Sequence, residues 1–324
     1  MAYTSNMLTE LEYNPDHFPT IIVNDGTVQT TQQAESWVRE NIATLQQELS
    51  CTGALLFRGF PVTDAESYHH FFSAFGYKNF TYQESLSNAV RINFTELVFS
   101  ANEAPKEVEI YLHNEMAQTP IFPNMISLFC ERAADRGGAT ILCRTDHLYQ
   151  EIAAAEPKLT AKLAQVGVKY TNRMPSADNP DSAQGRGWQS TLSVKTIEQA
   201  EQKLRSLGYN WEWQSDGSLS AQTRALPAIK SVANNRQVFF NQLIAAYQGW
   251  QGVKDNPSVG LCFGDDSQIP KQFLATACAI AESNAYDLMW QDGDVAMVDN
   301  RLAMHGRRPY AGKRVRRVLV ALGF

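Results

Sequence analysis

Residues 111–118 read YLHNEMAQ, with a histidine and a glutamate two apart in an otherwise apolar stretch. Side chains on an extended strand alternate faces, so the spacing predicts that His113 and Glu115 point the same way if the backbone there is a strand. Short β-rich runs surround it: AVRINF, VEIYLHNEM, MISLFCERA and ATILCR follow in order, broken by P-x-x-P and GG punctuation. GALLFRGF precedes them, and the last segment, DGDVAMVDNRLAMHGRRPYAGKRVRRVLVALGF, returns to strands. Between the two strand-rich parts, HLYQEIAAAEPKLTAKLAQVG, TIEQAEQKLRSLG and PKQFLATACAIAESNAYDLMW have helical spacing, and WEWQSDGSLSAQ has the pattern of a hairpin. The order predicts a mainly β fold with inserted helices, its core a double-stranded β-helix of the jelly-roll, cupin-like kind rather than a βαβ array.

Composition removes several function classes. The chain has 324 residues, 44% of them hydrophobic and 10% aromatic, enough for a substantial core. No internal repeat divides it, so we expect one domain over residues 1–324, with a helical insert at about 195–210. The polar stretch NRMPSADNPDSAQGRGWQ is expected to form a lid within residues 170–190, with Trp188 behind it. Twenty-eight basic against thirty-four acidic residues give a formal charge of -6, which argues against nucleic acid as a partner. No apolar run approaches the roughly 20 residues that span a bilayer, and the N-terminal residues lack a leader pattern. The expectation is a cytoplasmic protein with no membrane partner, with homo-oligomerisation left open. Its five cysteines are odd in number and never in C-x-x-C, so they read as reduced, small hydrophobes.

Histidine is scarce enough to be informative. Six histidines among these carboxylates would produce H-x-[DE] by chance roughly 0.6 times, so His113 with Glu115 alone is weak. His69 and His70 sit on a helical pattern among phenylalanines and are expected to pack or face solvent. His305 is different, because it follows the strand-like DVAMVDN and ends a β-run far along the chain. Two histidines and a carboxylate are the donor set of the facial triad that holds non-haem Fe(II) and leaves coordination positions open. A second cluster lies in KRVRRVLVAL: if Val318 and Val320 face inward, so does Arg316, and a buried guanidinium needs an anion. Arg314, Arg316 and Arg317 are all candidates for a small dicarboxylate, which arginine grips in a two-pronged way. Thr140, where a strand leaves the GG turn, could donate to the same anion.

These blocks, in this order, resemble the Fe(II)- and 2-oxoglutarate-dependent dioxygenases of the taurine dioxygenase (TauD/TfdA-like) type. The resemblance runs from GALLFRGFPV to the C-terminus and includes VFFNQ at residues 238–242. It implies that His113, Glu115 and His305 bind iron and act in catalysis, and that Thr140 and Arg316 hold the distal carboxylate of 2-oxoglutarate. Arg316 stands eleven residues after His305, a family-like spacing, with Arg314 and Arg317 close beside it. The HNEM form, with glutamate where aspartate is commoner, resembles a branch that hydroxylates amino acids in nonribosomal-peptide and related secondary pathways. The same glutamate disfavours halogenation, since the halogenating relatives lack this carboxylate.

The resemblance therefore implies Fe(II), 2-oxoglutarate as cosubstrate and O2, with release of succinate and CO2. The expected substrate is a small molecule, an amino acid or amino-acid derivative, free or tethered to a carrier protein. Hydroxylation of an unactivated C–H is the expected reaction; desaturation or cyclisation would use the same residues. Arg91 and Asn241 are candidate substrate contacts. Two other classes compete: a zinc hydrolase, for which H-E-x-x-H is missing, and a non-catalytic jelly-roll binding protein.

Overall fold

The strand segments pair as the alternation of their side chains demands. The structure is a computed structural model that describes residues 2–4, 17–80, 92–101, 104–178 and 186–324. Ala54–Arg58, Val295–Asp299, Met125–Arg132 and Arg317–Gly323 lie side by side, antiparallel, at the centre of a seven-stranded sheet. Thr20–Val23 and then Ala2–Thr4 extend one edge in parallel, and the short Phe99–Ser100 closes the other. A second, antiparallel sheet runs in the order Tyr286–Leu288, Thr140–Arg144, Ala303–Arg307, Ile110–His113.

Along each central strand the residues divide by parity between two cores. Leu55, Phe57, Phe129, Met297 and Leu319 face the helices Thr31–Glu40, Ile42–Thr52 and Ala65–Ser73, packing with Val38, Leu45 and Phe71. Their neighbours Leu56, Leu128, Val298, Val318 and Val320 face the other way, against Leu142, Leu288 and Ala303 of the smaller sheet. Leu112, Ile141, Cys143 and Met304 point to the far side of that smaller sheet. There they pack with the helices Thr145–Ala155, Leu243–Gly249 and Lys271–Ser283. The layers are thus helices, large sheet, small sheet, helices. Strands covered on both faces read as nearly unbroken apolar runs, which is why MISLFC and VLVAL lack polar alternation. The cupin-like jelly roll expected from the sequence is the fold observed.

Local departures have local causes. The helical interval after residue 144 divides into Thr145–Ala155 and Pro157–Val166, because Pro157 lacks the N–H that would continue the first helix and suits the first position of the next. Asn210–Trp213 and Leu219–Gln222 form the expected hairpin, which continues through Val168–Met174 to Leu261–Phe263 as a further sheet. Of the expected lid, residues 179–185 lie outside the described residues; residues 172–174 end a strand, and the buried Trp188 opens the short helix Trp188–Leu192 against Trp213. All five cysteines are free. Among the described residues, no helix is long and apolar enough to cross a membrane.

Candidate active site

His113 closes the Ile110–His113 strand and pairs in register with His305 on its neighbour. Leu112 and Met304 face the helix-side core, so parity turns both histidines toward the space between the sheets. Their ring centroids stand 4.3 Å apart. Gly306 makes this approach feasible, since a Cβ at that position would lie 2.4 Å from the Ile110 carbonyl oxygen. The register slips between His305 and Arg307 at the same point.

Glu115 reaches the histidines by a route that strand alternation does not describe. The strand ends at His113, and the chain enters a turn in which Met116 takes a positive φ of 59°. Buried amides hold that turn. The Glu115 N–H donates to Asn300 Oδ1 at 2.6 Å, while Asn300 Nδ2 donates to the carbonyls of Glu115 and Pro123 at 2.9 and 2.7 Å. Asn114 Nδ2 donates back to the Asn300 carbonyl at 2.6 Å. Asn114 Oδ1 accepts from the Asn241 N–H at 3.1 Å, and Gln242 Nε2 donates to the Asn114 carbonyl at 3.2 Å. The expectation that His113 and Glu115 share a strand face is corrected accordingly: a clamped turn, not the pleat, aims the carboxylate.

The outcome is a compact donor set. Glu115 Oε2 lies 3.7 Å from His113 Nε2 and 3.5 Å from His305 Nε2, and one atom from each of the three residues falls within 4.8 Å of the others. Donors about 2 Å from a shared first-row metal stand roughly 3 Å apart in adjacent positions, so small side-chain adjustments would close the set on one ion. His113 Nδ1 sits 2.8 Å from the Tyr111 carbonyl, where it can only donate; this fixes Nε2 as the lone-pair nitrogen facing the carboxylate. Two imidazoles and one carboxylate fit a divalent iron with open positions better than a closed structural zinc. Among the described residues this is the one such group.

The arginine cluster separates cleanly. Arg314 pairs with Asp292 and Arg317 with Glu131, both at the surface. Arg316 instead turns inward beside Val318 and Val320 and lines the same cavity as the three donors. Its Nε donates to the Gly138 carbonyl at 3.1 Å, and its guanidinium lies 5.6 Å from the Tyr310 ring. Gly138 has a φ of 72°, and a Cβ there would press on the Arg316 side chain at 3.0 Å, so the GG turn is shaped around this arginine. No carboxylate among the described residues pairs with it. Burial, with repulsion from Arg307 added, pushes the guanidinium down to about 10. Thr140 lines the cavity too, and its Oγ1 accepts from Trp290 Nε1 at 2.9 Å.

Other residues were left open or missed by sequence reasoning. Asn241, one of two candidate substrate contacts that could equally be structural, is fully buried. Its side chain donates to the Ala228 carbonyl and accepts from the Leu243 N–H, so it belongs to the scaffold behind the turn; the adjacent Gln242 is the one on the cavity wall. Arg91, the other candidate contact, lies outside the described residues. Asn114 and Asn300 were missed, though each is adjacent or close to a quoted histidine motif. Arg307 was missed as well: its guanidinium donates to the carbonyls of Ala104, Pro105 and Val108, bracing one wall of the cavity. His69 and His70 stay on their helix, His69 with Thr95 and His70 near Glu35 and Glu66, as expected.

The cavity measures about 710 Å³, within the range for a small-molecule site, and the donor set, Thr140 and Arg316 open onto it together. Comparison with known proteins identifies the family. Residues 24–322 match the family described as taurine catabolism dioxygenase TauD, TfdA family. A clavaminate synthase-like protein of Arabidopsis thaliana is 35% identical over 272 residues, 84% of this chain and 81% of that protein. Dapdiamide synthesis protein DdaC of Enterobacter agglomerans is 25% identical over 285 residues, covering 85% of this chain and 83% of DdaC. Two solved structures share the fold at low identity. PvcB of Pseudomonas aeruginosa aligns with a TM-score of 0.52 at 15% identity, covering 94% of this chain and 84% of PvcB. AAD-2, solved with Mn(II) and N-oxalylglycine, aligns at 0.52 and 13%, covering 97% and 96%. The chain belongs to the TauD/TfdA family and is an iron- and 2-oxoglutarate-dependent dioxygenase with O2 as its oxidant.

Proposed function

We propose that this dioxygenase, acting as a single catalytic domain, hydroxylates an unactivated C–H bond of an amino acid or amino-acid derivative. His113, Glu115 and His305 hold the iron in this reading, and Arg316 with Thr140 holds the far carboxylate of 2-oxoglutarate. The observation that carries it is the convergence of three donor atoms and one inward guanidinium on a single small-molecule cavity. The likeness to DdaC, a protein of dapdiamide synthesis by name, supports a biosynthetic small molecule as substrate.

Iron held by these residues together with 2-oxoglutarate would activate O2, the oxidant, with two of the four electrons O2 takes coming from the decarboxylation of 2-oxoglutarate to succinate and CO2 and two from the substrate. The residues of the chain orient and insulate. Tyr111 accepts from His113 Nδ1 and so aims Nε2 inward. The Asn114–Asn300 clamp fixes the Glu115 backbone, and so the place from which its carboxylate reaches the histidines, before any ion arrives, lowering the reorganisation needed on binding. Arg316 fixes one end of the cosubstrate by charge, and Thr140 adds a hydroxyl donor whose acceptor side is taken by Trp290. Apolar Ile126, Leu128, Val318 and Val320 line the cavity and keep water from the reacting end.

The test is a panel of free and carrier-bound amino acids, incubated with Fe(II), 2-oxoglutarate and O2 and read by mass spectrometry beside succinate release. A gain of one oxygen, matched by substrate-stimulated succinate that chelator abolishes, is the expected result. A loss of two hydrogens instead would assign desaturation or ring closure to the same residues. Succinate release with no modified amino acid anywhere in the panel would remove the substrate class.

A further inference from the structure

We infer that Gln118 reads an N–H group of the substrate and so makes the site selective for nitrogen-bearing molecules; the inference rests on the proposed amino-acid reading. Gln118 lies three residues beyond Glu115 and lines the same cavity as His113, Glu115 and His305. Its backbone is held in place. The Ala117 N–H donates to the Asn114 carbonyl, the Thr119 N–H to the Met116 carbonyl, and the Thr119 hydroxyl to the Ile121 carbonyl at 2.6 Å. The turn that aims Glu115 therefore also sets where the Gln118 carboxamide stands.

That carboxamide has an unfilled acceptor. Its Oε1 is buried and, among the described residues, meets no hydrogen-bond donor. A buried carbonyl oxygen without a donor is costly, and folded proteins seldom leave one unless something else completes it. Gln242, on the same wall, provides the contrast: its Nε2 donates to the Asn114 carbonyl, so that side chain is part of the scaffold. Among the described residues Gln118 makes no such bond. An oxygen acceptor on the wall of the cavity that holds the donor set, presented to a ligand there, would select for an ammonium or amide N–H and disfavour a molecule offering only a carboxylate or an ether. A site built to take an N–H rejects the analogue that lacks it, because its own acceptor is then left unpaired.

The inference is tested by calorimetric titration of the anaerobic protein loaded with Fe(II) and 2-oxoglutarate. The probes are the standard L-amino acids, their primary amides, and the des-amino acids with the same side chains. Wild type should bind at least one nitrogen-bearing probe roughly ten- to a hundredfold tighter than its des-amino counterpart. Q118L, which keeps the volume and removes the acceptor, should narrow that ratio to within about twofold, mainly by losing the nitrogen-bearing ligand. Q118N, whose oxygen falls one methylene short, should narrow it too, whereas Q118E, which keeps an oxygen in reach, should hold or widen it. Wild-type affinity for 2-oxoglutarate in each variant certifies the fold. An unchanged ratio in Q118L and Q118N would overturn the assignment, as would a wild type that binds 2-oxoglutarate but none of the nitrogen-bearing probes. Discriminating probes that are bound yet never oxygenated would instead sink the hydroxylation reading and leave Gln118 in its role.

Discussion

The cavity has two polar regions built on opposite plans. The turn carrying Glu115 is completed by the protein: Asn114, Asn300, Asn241 and Gln242 occupy its buried donors and acceptors with one another. Around Arg316 the protein stops short, giving the guanidinium one backbone carbonyl and the edge of an aromatic environment but no carboxylate among the described residues. The first plan suits donors that must be in position before an ion arrives. The second suits a charge waiting for an anion that comes and goes with each turnover. What differs is which partner is permanent.

The largest effect belongs to the donor set. Glu115→Ala leaves the clamp intact and removes the carboxylate, so bound iron and turnover should fall together by more than the roughly 10–100-fold that outlying partners of a metal site cost. Metal analysis of the purified variant beside a succinate assay decides it. Normal iron content with normal turnover would remove Glu115 from the ligand set.

Arg316→Met should come next. Losing a charge-assisted, two-pronged contact raises the 2-oxoglutarate requirement by about ten- to a hundredfold, with iron affinity little changed. The comparison adds a sign. Arg316 is a cation that burial already disfavours, so the ligand-free variant should melt no lower than wild type, while the stabilisation that 2-oxoglutarate gives wild type should vanish. A lowered pKa on a base means the charge is lost as pH rises through about 10, so wild-type 2-oxoglutarate affinity should hold from neutrality to about pH 9 and decline above it. The same alkaline decline in Arg316→Met would assign it to another group.

Asn300→Ala attacks the completed side. It strands the buried Glu115 N–H and two carbonyls, a change expected to cost about 2–4 kcal/mol of stability and roughly tenfold in iron affinity. Chemical denaturation and iron titration read the two. A variant that keeps full iron affinity despite lost stability would show that the clamp serves the fold alone.

The same contrast explains what could be read in advance. His113 and His305 were legible because each sits in a strand whose parity is printed in its apolar neighbours, and Arg316, just ahead of the Arg317–Gly323 strand, because it stands two residues before the inward Val318. Leu112 and Met304 tell the reader which way the next side chain points. Glu115 was legible as a residue and illegible as geometry. Its position depends on Asn300, 185 residues away, and no local period encodes a hydrogen bond across that separation. Asn241 could not be assigned for a related reason: a polar residue near a motif is equally consistent with lining a cavity and with bracing the loop behind it, and the structure gives it the second role. Choosing among Arg314, Arg316 and Arg317 needed the positions of Asp292 and Glu131, which draw the outer two to the surface. The jelly roll itself followed from runs of apolar strands, since burial on both faces is a property of the sequence pattern.

The smallest effect is the most discriminating, because it asks whether the open side is partly prearranged after all. Trp290 Nε1 donates to Thr140 Oγ1 at 2.9 Å. A hydroxyl whose oxygen already accepts from the indole is biased to direct its single proton elsewhere, and Thr140 lines the cavity in which the proposed 2-oxoglutarate carboxylate would lie. Trp290→Phe keeps an aromatic ring against the inter-sheet core and removes only that donor. The 2-oxoglutarate requirement should rise about two- to fivefold, with iron content unchanged; Thr140→Val, which removes the hydroxyl, should raise it by about five- to tenfold. The double variant is the decisive measurement. If Trp290 acts through the hydroxyl, it has nothing to orient once Thr140 is valine, and the pair should be no worse than Thr140→Val alone. Effects that multiply in full would mean that the indole serves by packing, and the arginine side of the cavity would then owe its shape to the ligand rather than to a prepared donor.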